Sequence, residues 1–121
     1  MAGFVLLVDD DDAIRIVMQF ALEQDGYTVH VANGAEEALA WERTHSDPID
    51  VMISDVYMPH VTGVELALEM RRRRPDQRIL LISGLADTLP ASLQDDRVIW
   101  LFKPFSATDL LASLKKFLAT G

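Results

Sequence analysis

Residues 4–15 read FVLLVDDDDAIR: an apolar run, four aspartates, and the start of a stretch in which Ile14, Val17, Met18, Ala21 and Leu22 recur at intervals of three and four. An apolar run without polar interruption is the pattern of a strand covered on both faces. The stripe after it predicts a helix, closed by Gly26, where the left-handed conformation costs glycine little. A strand followed directly by a helix is the first unit of an α/β fold.

The same alternation continues along the chain. Thr28 to Ala32, Asp50 to Ser54, Arg78 to Ile82 and Val98 to Phe102 read as four further strands. A second helix is expected from about Ala35 to His45, and a third after Gly63, with Val64, Ala67 and Leu68 on one face and an end before Pro75. The last opens with Ser106 and Asp109, spaced as an N-cap and its partner, and turns Leu110, Leu114, Phe117 and Leu118 inward. Strand and helix repeated five times imply a parallel sheet with right-handed crossovers and helices on both faces. Sites in such sheets form beyond the carboxyl ends of the strands. Asp9 to Asp12, Asn33, Asp55, Ser83 and Lys103 stand there.

Composition narrows the function. The 121 residues carry 11 Lys and Arg against 19 Asp and Glu, a formal charge of −8, so the chain repels phosphate backbones and no direct nucleic-acid partner is expected. The absence of cysteine excludes disulfides and thiol chemistry. No apolar run approaches the roughly 20 residues that cross a bilayer, and aspartates directly after the first run do not read as a secretion signal. A single cytoplasmic domain spanning residues 1–121, without membrane contact, is the expectation.

The four aspartates and Asp55 crowd one sheet edge if their strands are neighbours. Like charges about 4 Å apart repel by about 4 kcal/mol at an effective dielectric near 20, so a proton or a cation must enter. An all-oxygen set with room for water suits Mg²⁺, or Mn²⁺. One of Asp11 and Asp12 is needed to cap the first helix. Lys103 and Ser83 add an ammonium and a hydroxyl, which phosphoryl transfer onto a carboxylate requires.

Taken together, FVLLVDDDDAIR, VMISDVYMP, ILLISG and FKPF, in that order along nearly the whole chain, resemble the receiver domain of two-component response regulators. The resemblance implies a flavodoxin-like doubly wound (βα)5 sandwich, similar to the chemotaxis regulators, with strand order 2-1-3-4-5. It implies that Asp55 accepts a phosphoryl group from the phosphohistidine of a sensor histidine kinase or histidine phosphotransfer protein. Asp9 and Asp10 match the acidic pair that holds Mg²⁺ with Asp55 and the backbone carbonyl of Tyr57; the register Asp10 and Asp11 is the alternative, less favoured because Asp9 follows Val8 directly. Lys103 matches the lysine that pairs with phosphoryl oxygens, Ser83 the switch hydroxyl and Trp100 the switch aromatic. A receiver of this kind catalyses only its own phosphorylation and dephosphorylation, and works as a monomer or a weak phosphorylation-dependent dimer.

The chain departs from the family in three places. Thr62-Gly63 stands where Asp-Gly is frequent, and Gly84 where alanine is frequent. Between Ser83 and Lys103 a long fourth helix is absent, and Pro90 allows at most a brief one, which points to a remodelled output surface. Tyr57 and Leu85, at positions that admit hydrolytic water in receivers, are bulky and neither acidic nor amide, so slow self-dephosphorylation is expected.

Blander readings apply elsewhere. Arg71 to Arg74 favour a helix C-terminus rather than a nucleic acid. His30, His45 and His60 lack ligand spacing, Met52, Met58 and Met70 fill space, and Trp41 is a half-exposed helix residue. Two competing functions are a haloacid-dehalogenase-type phosphatase, opposed by Asp95 and Asp96 standing before a strand and by the lack of room for a cap, and a non-phosphorylated pseudo-receiver, opposed by the presence of every chemical residue.

Overall fold

The five apolar runs form five parallel strands in one sheet of order β2-β1-β3-β4-β5 in the computed structural model, which describes residues 3–85 and 88–119. The strands are β1 (Phe4–Val8), β2 (Thr28–Ala32), β3 (Val51–Asp55), β4 (Ile79–Ser83) and β5 (Val98–Phe102). The helices are α1 (Asp12–Gln24), α2 (Ala35–Glu42), α3 (Gly63–Arg73) and α4 (Ala107–Ala119). This is the flavodoxin-like α/β arrangement.

The central strands are buried along nearly their whole length, and the edge strands β2 and β5 only partly. Leu6, Met52, Ile79 and Leu81 face α2 and α3, whereas Val5, Leu7, Ile53, Leu80 and Ile82 face α1 and α4. Each such side chain taken out of water contributes roughly 1.5–3 kcal/mol, which explains why these strands alternate nothing in sequence yet alternate faces in space.

Several expectations shift. β3 and β4 each begin and end one residue later than the apolar runs, because the ladder continues to pair Asp55 with Ile82 and Ser83 with Phe102. Asp55 and Ser83 are therefore the last ladder residues of their strands, held by backbone pairing. Helix α2 stops at Glu42 rather than His45, where Thr44 Oγ1 and its own N–H both donate to the Trp41 carbonyl. Val17 does not join the inward stripe of α1: it is 64% exposed, beside Ile16 and Phe20 on the outer face. The fourth strand-to-strand connection holds no α-helix among the described residues. Pro90 precedes a 3-10 turn, Ala91–Leu93, and Leu93, with no exposed surface, plugs the core there beside the partly buried Leu89. Among the described residues the fivefold strand-helix repeat thus has four α-helices.

Candidate functional site: an acidic pocket at the carboxyl edge of the sheet

Because β1 lies beside β3, the residues leaving both strands meet. The four aspartates then separate into four environments. Asp9 is 1% exposed, its N–H donating to the Ala32 carbonyl at 3.2 Å, and its Oδ1 accepts from the Asp11 N–H at 2.9 Å. Asp10 is exposed at the pocket rim. Asp11 is the N-cap of α1, its side chain accepting from the Ile14 N–H at 3.1 Å. Asp12 pairs with Arg15 at 2.6 Å, and the same guanidinium donates to the Asp9 carbonyl at 2.8 Å, fixing the turn between strand and helix.

Asp55 closes the pocket from β3 and is 5% exposed. Its Oδ1 accepts from the Tyr57 N–H at 3.0 Å and its Oδ2 from Lys103 Nζ at 2.9 Å. Lys103 is positioned by its own N–H, which donates to the Ser83 carbonyl at 2.8 Å. The pairing with Asp55 raises the lysine above its ordinary value, with the Asp9 and Asp11 charges adding to the effect. One carboxylate oxygen each from Asp9, Asp10 and Asp55 lie within 4.8 Å of one another. Burial raises the Asp9 carboxyl, the charges of Asp55 and Asp10 push the same way, and the Asp11 N–H and Lys103 oppose them.

The donor set fits a hard cation. Asp9 Oδ2 is buried and accepts no hydrogen bond among the described residues. A buried carboxylate oxygen without a donor is costly, and all-oxygen ligation open to water on the Asp10 side is what Mg²⁺ or Mn²⁺ takes. Of the two registers left open by the aspartate run, Asp9 and Asp10 face Asp55, while Asp11 is occupied as a cap.

Ser83 is fully buried at the end of β4, and its hydroxyl is engaged within its own loop: it donates to the Leu85 carbonyl at 2.7 Å and accepts from the Leu85 N–H at 3.1 Å. Trp100 is half-buried on β5, paired in register with Leu81 and stacked on Phe102 at 5.9 Å between ring centroids. The side chains of Tyr57 and Leu85 are both exposed.

Two contributors escaped the sequence reading. The Gly63 N–H donates to the Val56 carbonyl at 2.8 Å, and a Cβ at Gly63 would stand 2.2 Å from the Asp55 carbonyl oxygen; the signal was a glycine at a helix start preceded by threonine, whose hydroxyl and Glu65 form a capping box. The second is the outer ridge Ile16, Val17 and Phe20, visible in sequence as apolar residues on more than one face of a single helix.

This sheet order, with an acidic pocket and a lysine at its carboxyl edge, defines a receiver-type α/β domain. The chain belongs to the response regulator receiver domain family, whose model matches residues 5–115. It is 39% identical over 119 residues to the sensor kinase CckA of Brucella abortus (strain 2308), covering 94% of this chain and 12% of that protein. It is 36% identical over 117 residues to the response regulator receiver protein CpdR of the same strain, covering 94% of this chain and 95% of that one. Among solved structures, the histidine kinase ThkA in complex with the response regulator TrrA contains a chain similar to this one with a TM-score of 0.79 at 30% identity, covering 98% of this chain and 99% of that chain. The chain is thus a phosphoacceptor module of two-component signalling, and such modules pair with histidine kinases. Among the described residues no helix is long and apolar enough to cross a membrane.

Proposed function

We propose that Asp55 is the residue that receives the phosphoryl group, in one receiver domain spanning residues 1–121. The observation that carries this is the single ammonium, Lys103, on one oxygen of a nearly buried carboxylate whose other oxygen is oriented by a backbone N–H. Such a carboxylate is held for in-line attack on phosphorus, and Lys103 is placed to neutralise the incoming oxygens. Asp9, Asp10, Asp55 and the Tyr57 carbonyl would hold Mg²⁺, with Mn²⁺ an acceptable substitute. The ion supplies charge neutralisation for the phosphoryl oxygens. After transfer, the Ser83 hydroxyl leaves Leu85 for the phosphoryl group and Trp100 moves inward, shifting a pre-existing equilibrium.

The donor is the phosphohistidine of a sensor histidine kinase or a histidine phosphotransfer protein in the cytoplasm. Such a donor must cover the rim of the pocket, and the exposed ridge Ile16, Val17 and Phe20 supports docking along α1. The chain is consumed stoichiometrically, so it is not a turnover enzyme; neither nucleic acid nor membrane is a direct partner. It acts as a monomer or a weak phosphorylation-dependent dimer on a downstream protein. Incubation with acetyl phosphate and Mg²⁺ tests the assignment by intact mass. One phosphoryl group is expected on the native chain and none on Asp55→Asn. Continuous release of phosphate would instead identify a phosphatase, and neither outcome would leave a pseudo-receiver.

A further inference from the structure

Arg15 makes a contact that its helix does not need. Its backbone N–H donates to the Asp11 carbonyl at 2.9 Å in the first turn of α1, and its Nη2 pairs with Asp12, three residues back, at 2.6 Å. With the Asp12 side chain 79% exposed, that is a surface ion pair and contributes little. The Arg15 side chain is only 16% exposed, and its Nη1 reaches back past the helix start to donate to the Asp9 carbonyl at 2.8 Å.

That carbonyl stands between two of the converging carboxylates. It belongs to the planar peptide joining Asp9 to Asp10, so a donor on it sets where the Asp10 Cα lies. Asp9 is held without Arg15, because its N–H donates to the Ala32 carbonyl and its Oδ1 accepts from the Asp11 N–H. Asp10 is exposed at the rim, and its carboxylate takes its place from the backbone that carries it. One of its oxygens still comes within 4.8 Å of oxygens of Asp9 and Asp55. We propose, resting on the reading of Asp9, Asp10 and Asp55 as metal ligands, that Arg15 is a positioning residue of the metal centre. By holding the Asp9 carbonyl it keeps the Asp10 carboxylate turned toward Asp55, and so sets the affinity for the divalent cation. Partners one step removed from a metal change its affinity by roughly 10–100-fold when they are lost.

The sign of the effect separates position from charge. Arg15 is itself a cation, so by charge alone its removal tightens the binding of a divalent ion. Loss of position weakens it. Titration of the full chain with Mn²⁺, followed by the electron paramagnetic resonance of the free ion, gives the dissociation constant without any phosphoryl donor. Arg15→Met keeps the aliphatic stem and a good helix former, and is expected to weaken binding about tenfold. Arg15→Gln, too short to reach the Asp9 carbonyl, is expected to repeat the loss. Asp12→Ala, which removes only the surface pair, is expected to weaken binding by no more than about twofold. Binding in the two Arg15 variants as tight as in the native chain, or tighter, would overturn the proposal even if their urea midpoints fell, since a staple for the helix alone gives that result. A loss in Asp12→Ala as large as in Arg15→Met would overturn it too. Failure of the native chain to bind Mn²⁺ would instead remove the metal centre, and the role of Arg15 with it.

Discussion

A methyl group at Gly63 would meet the Asp55 carbonyl oxygen at 2.2 Å and the Val56 Cα at 2.9 Å. Neither atom belongs to a flexible side chain, so the backbone of β3 must shift. Overpacking of this kind costs about 2 kcal/mol, and the shift displaces the carboxylate as well. Gly63→Ala is expected to lower stability in urea by about that amount and to slow phosphorylation by acetyl phosphate. An unchanged urea midpoint would show that the approach is relieved elsewhere. Glycine before a helix was legible as a turn residue, but its closeness to Asp55 was not, because contact across 8 positions depends on how the chain folds back. The aspartate run was legible as a site and as a cap together; the geometry makes Asp11 the cap and brings Asp9 and Asp10 to Asp55. Leu85 sits two residues after Ser83 with its side chain in solvent, and offers no group to orient water on a phosphorylated Asp55. Leu85→Glu is expected to shorten the lifetime of the phosphorylated protein several-fold by mass spectrometry, and equal or slower decay would count against water positioning at Leu85.

At the level of elements, the strands were legible because continuous apolar runs have one stable use in a sheet covered on both sides. The fourth connection was legible as a departure through Pro90, which allowed at most a brief helix beginning near it, and the 3-10 turn Ala91–Leu93 is such a helix. Less was readable from Arg71 to Arg74, taken as a complement to the end of α3. They are staples. Arg73 and Arg74 both reach Glu42 of α2, at 2.9 and 3.0 Å, Arg74 also donates to the His45 and Asp47 carbonyls, and Arg71 reaches Asp95 at 2.7 Å. Periodicity places these arginines on a helix but cannot supply their partners on other elements. Burial pushes Glu42 up, yet hydrogen bonds from Arg73 and Arg74 outweigh it and hold the carboxyl below 4.5. Hydrogen bonds from Arg72 and Arg73 lower Glu69 to about 2. A depressed carboxyl contributes stability that is complete above its unfolded value and is lost as pH falls through its folded one. The fold is therefore expected to weaken from about pH 4.5 downward. Glu42→Gln should cost about 2 kcal/mol at neutral pH, a difference from the native chain that shrinks on acidification. Parallel acid curves for the two proteins would show that Glu42 carries no such linkage.

Over the whole molecule, a formal charge of −8 is tolerated because most carboxylates lie on the surface or meet arginines, whereas Asp9, Asp10 and Asp55 converge. Their convergence follows from strand order, which places β1 beside β3 although nearly fifty residues separate Asp9 from Asp55. Hydrophobic pattern alone leaves that order open, and the family resemblance supplied it. Lys103 offsets part of the repulsion, yet Asp9 Oδ2 is buried with no donor among the described residues. Three converging carboxylates repel one another, so a bound divalent cation should stabilise the protein as a whole. At a concentration ten times its dissociation constant, Mg²⁺ is expected to add about 1.4 kcal/mol and raise the unfolding temperature by about 5 °C relative to chelator. Asp9→Asn removes one of the converging charges with little change of shape, so in chelator the variant should be more stable than the native chain by about 1 kcal/mol. The same variant should lose most of the Mg²⁺-induced shift. A variant less stable than the native chain in chelator, or one that keeps the full shift, would place the strain and the cation somewhere other than these three carboxylates.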